Sequence, residues 1–368
     1  MKNMIIRAVA GMLASILLVT GVALVGNMPN GKSTDSIFYD ASGIHPDAAI
    51  MTVNMRQVPA EEYFYWLAYD CDYLTSYMGT VDFNAAISGS MSYGQYAMAD
   101  AERTVVLYSV VRQWAEEAGI SLSEESQAQL EAQRQQYVEY YGGEEGYAKQ
   151  LKLMGLSDES FQEINKVYFL YSELYNAYCN EGGALRPADE EIAAFAKEGG
   201  YYTFMPLYWA VSGDETADAA ALQEAQAAAE RLRSASDVSA TYLQIAQEIA
   251  LQATAAGETF SAEELNAELI AAVSGLENGQ VSDVVVTDAG YYVLVGMDLN
   301  KSAVLDKMFN AKLDDMRESA GIRYNCRSYD KLNVGDFYTK LTTLRAQLQG
   351  DTDTNTDTNT DTGSDTQS

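Results

Sequence analysis

Residues 276–297 read LENGQVSDVVVTDAGYYVLVGM. Two β-prone runs, one ending at Thr287 and one from Ala289 to Met297, flank the turn signal Asp288-Ala289-Gly290. That pattern predicts a β-hairpin. Upstream, YYTFMPLYWAV (201–211) is aromatic and β-prone, hence a strand, with Pro206 placing it at an edge or a bulge. Between this strand and the hairpin, helical patterns run over 216–234, 238–251 and 262–274. The order strand, three helices, strand, strand describes an α+β domain with a small antiparallel sheet over about 199–300.

The preceding stretch, 49–198, is helical by pattern. Pro59 suits a first helical turn, with Glu61 and Glu62 complementing the helix dipole. Tyr63, Leu67, Cys71, Leu74 and Met78 then recur at helical spacing. A second helix, near 100–118, carries Val106, Val110, Trp114 and Ala118 on one stripe and stops at Gly119. EEAGISLSEES (116–126) and LMGLSDESF (153–161) repeat one grammar, two helices joined through Gly, an aliphatic residue and a serine cap. Tyr137, Tyr140, Tyr141, Tyr168, Tyr171, Tyr175 and Tyr178 crowd this half. They read either as packing residues with wet hydroxyls or as an aromatic surface for unfolded peptide. After Asn300, helical stretches at 301–319 and 334–348 are expected to pack back onto 49–198, with Met308, Leu313, Leu341 and Leu344 as the covering residues. The central domain therefore reads as an insert in a helical one.

Composition narrows the function. The chain has 368 residues, 23 basic against 53 acidic, and a net charge of -30. Such a chain repels nucleic acid. The single histidine, His45, sits in a polar connector, which excludes a Ser-His-Asp triad unless His45 itself serves, and excludes histidine-rich metal sites. Cys71, Cys179 and Cys326 are far apart, so either one disulfide or three buried thiols fits them. There is no phosphate loop, dinucleotide fingerprint or metal cluster, so neither a cofactor nor a metal is expected.

The ends carry addresses. Lys2 and Arg7 precede AVAGMLASILLVTGVALVG (8–26), close to the roughly 20 residues that span a bilayer. Residues 1–30 read as an uncleaved signal anchor that leaves the rest of the chain outside the plasma membrane. A cleaved signal peptide, with a small-x-small site at Gly21-Val22-Ala23, is the alternative, and would make the protein secreted. Residues 31–48 read as a polar linker, and 349–368, rich in Asp and Thr, as a disordered acidic tail.

The strand–helix order ending in Leu276, Gly279, Val281, Ser282, Thr287 and Gly290 resembles a parvulin-type (PpiC-like) peptidyl-prolyl isomerase domain. The helical half, with its Gly-aliphatic-Ser joints at 119–123 and 155–157, resembles the chaperone domain of SurA-like and PrsA-like extracytoplasmic foldases. The resemblance implies an α+β chain whose partners are unfolded or newly exported polypeptides. It also places residues. Two family histidines, which support each other in the catalytic site, fall on Tyr208 and Tyr292, and two phenols there are able to keep a mutual hydrogen bond. The prolyl-pocket Met and Phe fall on Leu265 and Leu269, and the loop that brings a Cys or Asp to the prolyl bond is shortened to QATAAGETF (252–260).

Prolyl isomerisation needs no nucleophile. It lowers a barrier of about 18–20 kcal/mol by binding a twisted amide in a shaped, dry site. Replacing imidazoles by phenols therefore weakens catalysis without abolishing a proline pocket. The leading expectation is a membrane-tethered foldase with weak or lost isomerase activity. An active parvulin-type isomerase is the alternative, and a non-catalytic surface-binding or scaffold protein the second.

Overall fold

The computed structural model describes residues 36–325 and 329–356. The expected anchor, Cys326 and the last twelve residues of the acidic tail lie outside them. Among the described residues no helix is long and apolar enough to cross a membrane. The described residues are α+β: mainly helical, with three small antiparallel sheets. It divides into two compact units, residues 177–312 and, flanking them in sequence, 36–176 with 313–356.

The flanking unit opens with helix α1 (Ile37–Ser42), then strands β1 (Ala49–Val53) and β2 (Arg56–Pro59). Helices α2 (Ala60–Met78) and α3 (Tyr93–Glu117) follow, with the short hairpin β3 (Ala86–Ser88) and β4 (Met91–Ser92) between them. Then come α4 (Glu124–Tyr140), α5 (Glu144–Met154) and α6 (Asp158–Cys179), whose last turn passes into the other unit. The joints behave as the sequence grammar predicts. Ser123 accepts from the Ser126 N–H at 3.1 Å and Ser157 from the Ser160 N–H at 3.2 Å. Gly155 closes α5 in the left-handed conformation, with φ +79°.

Three features differ from the sequence reading. First, 31–48 is not simply a linker. Its described part holds α1, where Phe38 is wholly buried, its ring 6.1 Å from Phe64 and 6.2 Å from Phe337. Gly155 also makes this seat, since a Cβ there would lie 2.6 Å from the Phe38 ring. A lone Ile-Phe pair among polar residues carries too little periodicity to reveal such docking. Second, β1 and β2 form a hairpin ahead of the first long helix, and β9 (Ile322–Tyr324) adds to the other side of β1. Asn54 and Met55 occupy the turn at φ +51° and +67°. Asparagine tolerates that conformation but methionine rarely adopts it, so the usual Asn-Gly signal is missing. The Asn54 side chain compensates, accepting from Gly321 N–H at 2.8 Å and donating to Gln113 at 2.9 Å. Third, α12 (Val334–Thr356) continues eight residues into the run read as a disordered tail, since neither proline nor a left-handed glycine stops it.

Tyr147 is buried with its hydroxyl on Asp158 at 2.8 Å, whereas Tyr140 is 79% exposed. Of the four expected covering residues, Leu313 and Leu341 belong to this unit and are buried and Leu344 belongs to it and is half-buried, whereas Met308 falls in the central unit. Cys71 is a buried thiol and Cys179 is half-buried.

The central unit carries helix α7 (Asp189–Glu198), strand β5 (Tyr202–Ala210), helices α8 (Glu215–Arg233) and α9 (Val238–Glu248), strand β6 (Glu258–Phe260), helix α10 (Ala267–Val273), strands β7 (Val285–Thr287) and β8 (Gly290–Gly296), and the start of α11 (Lys301–Glu318). The sheet order is β6-β5-β8-β7, all antiparallel. The unit reaches beyond 199–300 because flanking side chains tie into it. Phe195 stacks on Tyr201 at 5.6 Å, Tyr178 meets Phe309 edge-on at 5.7 Å, and Lys307 pairs with Glu264 at 3.2 Å. Pro206 sits two residues past the pairing with β6, where no neighbour on that side needs its missing N–H. Its carbonyl accepts from the Tyr242 hydroxyl at 3.1 Å.

Candidate functional site

Period-two alternation gives the sheet two different faces. On one, Met205, Leu207, Trp209, Val293 and Val295 pack against Ala225, Ala228, Ala229 and Leu232 of α8 and Tyr242, Ile245 and Ala246 of α9. On the other, Phe204 and Leu294 pack against Leu269 and Val273 of α10, with Tyr202, Phe260, Leu265, Val285 and Tyr292 half-buried around them. The first face is a closed core of small and aliphatic residues. The second is a smaller cluster whose partly exposed members include the aromatic Tyr202, Phe260 and Tyr292, and it holds the candidate site.

Tyr208 and Tyr292 are direct register partners across β5 and β8, and Tyr292 is also opposite Val285 of β7. Their rings lie 4.7 Å apart, tilted by 36°. The mutual hydrogen bond expected from the resemblance is replaced by ring contact. The Tyr208 hydroxyl donates instead to the Ala289 carbonyl at 2.7 Å, closing the hairpin turn from beside it. Tyr292 makes no hydrogen bond through its hydroxyl within the described residues. Burial, and secondarily the neighbouring Tyr208, hold its phenol above the ordinary tyrosine range, so it stays neutral and able to donate.

The turn is built to deliver this pair. Thr287 accepts the N–H groups of Ala289 and Gly290, both at 3.2 Å, and donates to the Gly290 carbonyl at 3.1 Å. At Gly290 a Cβ would stand 2.1 Å from the Trp209 carbonyl oxygen and 2.8 Å from the Tyr208 ring, so only glycine lets β8 come this close to β5. Ser282 fixes the segment before β7. Its N–H donates to the Leu294 carbonyl at 2.9 Å and its hydroxyl accepts the Leu294 N–H at 2.9 Å.

Leu265 and Leu269 fall where the proline pocket is expected to be. Leu269 is 8% exposed against Phe204 and Leu294, and Leu265 borders the same cluster. Two further wall residues were not singled out in the sequence. The Phe204 and Phe260 rings lie 5.1 Å apart, because β6 pairs with the start of β5. The usable signal for Phe260 was the run Glu258-Thr259-Phe260, read above as loop. The Thr203 and Thr259 hydroxyls meet at 2.9 Å across that pairing. Chemically, the face offers an apolar wall for a prolyl ring and the phenol hydroxyls of Tyr202 and Tyr292 as donors. It offers no group that changes charge near neutral pH.

The family model for the PPIC-type PPIASE domain matches residues 189–306. These residues are thus a PPIC-type, parvulin-like domain, as the hairpin motif implies. Among solved structures, the chain is similar to the peptidylprolyl isomerase PrsA of Bacillus anthracis at 17% identity, covering 67% of this chain and 95% of that one, with a TM-score of 0.21. It is similar to PrsA of Bacillus subtilis at 14% identity, covering 67% and 91%, with a TM-score of 0.28. A third likeness is to a structure described with PEB4 and Cj1289, SurA-like chaperones of Campylobacter jejuni, at 12% identity, covering 75% and 99%, with a TM-score of 0.19. No curated protein matches the chain.

Proposed function

We propose that this protein is an extracytoplasmic foldase, tethered to the plasma membrane by residues 8–26, that binds unfolded exported polypeptides and has weak or no prolyl isomerase activity. The PPIC-type domain takes proline-containing segments on the face of Phe204, Phe260, Leu265 and Leu269, with Tyr292 donating to a backbone carbonyl beside the proline. The observation that carries this reading is the Tyr208–Tyr292 pair. The Tyr208 hydroxyl is committed to the Ala289 carbonyl at 2.7 Å, which leaves Tyr292 as the one donor of the pair beside the apolar wall. Binding a proline needs only that wall. Speeding the rotation requires contacts stronger in the twisted amide than in the planar one, and one phenol supplies few of them.

The test is cis/trans exchange of a set of X-Pro peptides measured by NMR, with Leu269→Ala and Tyr292→Phe beside the parent protein. The expected result is saturable binding, lost in Leu269→Ala, with exchange little faster than in buffer. Strong acceleration by the parent, lost in both variants while they remain folded, makes the domain a working isomerase. That second reading draws on the Tyr292 hydroxyl, which is free to act on the substrate amide. Suppression of aggregation of a generic unfolded protein tests the chaperone half separately.

A further inference from the structure

We infer that Lys307 and Glu264 are positioning residues of the proline wall: their ion pair fixes the turn that joins Phe260 to Leu265. The inference rests on the proline-binding reading above and adds what holds the wall in shape. Phe260 ends β6, and Leu265 follows the single 3-10 turn (Ala262–Glu264), so residues 261–264 set the spacing of two wall side chains. Phe260 and Leu265 are half-buried, whereas Phe204 and Leu269 are buried. Packing alone therefore holds the first two less firmly, and their placement depends on the segment between them.

A 3-10 turn this short has poor hydrogen-bond geometry of its own. Its backbone closure is the Glu264 N–H donating to the Ser261 carbonyl at 3.0 Å. The Glu264 carboxylate reinforces it. Oε2 accepts the Ser261 N–H at 2.9 Å and the Ser261 hydroxyl at 3.1 Å. Lys307 of α11 donates to the same oxygen at 3.2 Å and to Oε1 at 3.5 Å. One carboxylate thus holds both ends of the turn and ties them to a helix packed beside it. The Ser261 backbone bond first, and then Lys307 against the cost of burial, hold this carboxyl below the ordinary range, so it is charged near neutral pH. The ammonium is placed as well. It lies 5.8 Å from the centre of the Tyr201 ring, and Tyr201 stacks on Phe195 of α7. Gly200 seats the turn, since a Cβ there would lie 2.9 Å from the Ala262 Cβ. The Lys307 and Glu264 side chains are 33% and 31% exposed, so water screens the pair only in part. Lys307 acts on the wall through Glu264 and needs no contact with the bound segment.

The test uses the full chain and a fluorescently labelled peptide with Ala-Pro at its centre and no charged side chain, so that direct attraction to either partner does not enter. Binding is read by anisotropy, with an Ala-Ala counterpart as control. Lys307→Met is expected to weaken binding of the proline peptide about threefold, the scale of one partly exposed ion pair. Lys307→Arg keeps the charge and the reach, and should bind as the parent does. Glu264→Gln should lose at least as much as Lys307→Met, and adding Lys307→Met to it should cost little more, because both act through one carboxylate. Amide hydrogen exchange gives the second readout. In Lys307→Met it should quicken over 258–269 and stay unchanged in β5 and β8. Parent-like binding by Lys307→Met, failure of Lys307→Arg to restore binding, or faster exchange spread through β5 and β8 overturns the inference and leaves the proline-binding reading standing. If the parent binds the proline peptide no better than its Ala-Ala counterpart, that reading falls and the inference falls with it.

Discussion

Glu61 makes a pH-dependent claim about the flanking unit. It lies in the first turn of α2, 8% exposed. Its neighbour Glu62 is buried as well but holds Arg112 through two contacts, at 2.8 and 3.1 Å. Glu61 pairs with no cation among the described residues. Burial, with Asp47 and Glu62 adding like charge, pushes its carboxyl up from the ordinary 4.5 to about 8, against a helix terminus and a Ser157 backbone bond that favour the anion. The folded pKa is therefore above the unfolded one. The stability from keeping this proton is fully present below pH 4.5 and is lost as the pH rises through about 8. At about 1.4 kcal/mol per pH unit, the loss is of order 3–5 kcal/mol.

Glu61→Gln keeps the shape and removes the titration. It is expected to match the parent within about 1 kcal/mol at pH 4.5 and to be more stable by roughly 3–5 kcal/mol at pH 8.5. Urea unfolding read by tryptophan fluorescence in a Trp209→Phe background isolates this unit, since Trp66 and Trp114 lie in it and Trp209 in the other. Stability curves of the two proteins that run parallel from pH 4.5 to 8.5 would show that Glu61 is ionised in the fold, and the reasoning fails.

Two further substitutions probe the packing claims. Gly290→Ala should cost more than about 2 kcal/mol in the central unit, since its Cβ meets the Trp209 carbonyl at 2.1 Å; unchanged hydrogen-exchange protection of β5 and β8 would contradict that. Arg112→Met should cost about 3–5 kcal/mol by stranding the buried Glu62 carboxylate. Adding Glu62→Gln should recover much of it in urea unfolding, and no recovery in the double variant would mean that the pair is not what Arg112 contributes.

What the sequence made legible follows from where the physics is local. The Gly-aliphatic-Ser joints at 119–123 and 155–157 were readable because a left-handed glycine and a serine N-cap act within a few residues. The strand at 201–211 and the hairpin at 285–296 were readable because alternation and turn chemistry are also local. The β1–β2 hairpin was not, since its turn residue Met55 gives no turn signal and its stability comes from Gly321 and Gln113, far away in sequence. Phe38 was hidden for the same reason. Its partners Phe64, Gly155 and Phe337 are distant, and no pattern within 36–48 announces them.

At the site the same distinction explains the doubled tyrosine at 291–292. Adjacent residues on a strand face opposite ways, so the pair serves two environments. Tyr291 pairs in register with Trp209 and joins the closed core under α8 and α9. Tyr292 pairs with Tyr208 and joins the open face under α10. The alternation was visible in the sequence, and so were the positions of Tyr208 and Tyr292. The destination of the Tyr208 hydroxyl was not, because it depends on how near Gly290 lets the turn approach β5. That approach turns a pair expected to bond each other into a structural tyrosine and a free one. Any chemistry of the pair then rests on the Tyr292 phenol and on the apolar wall beside it.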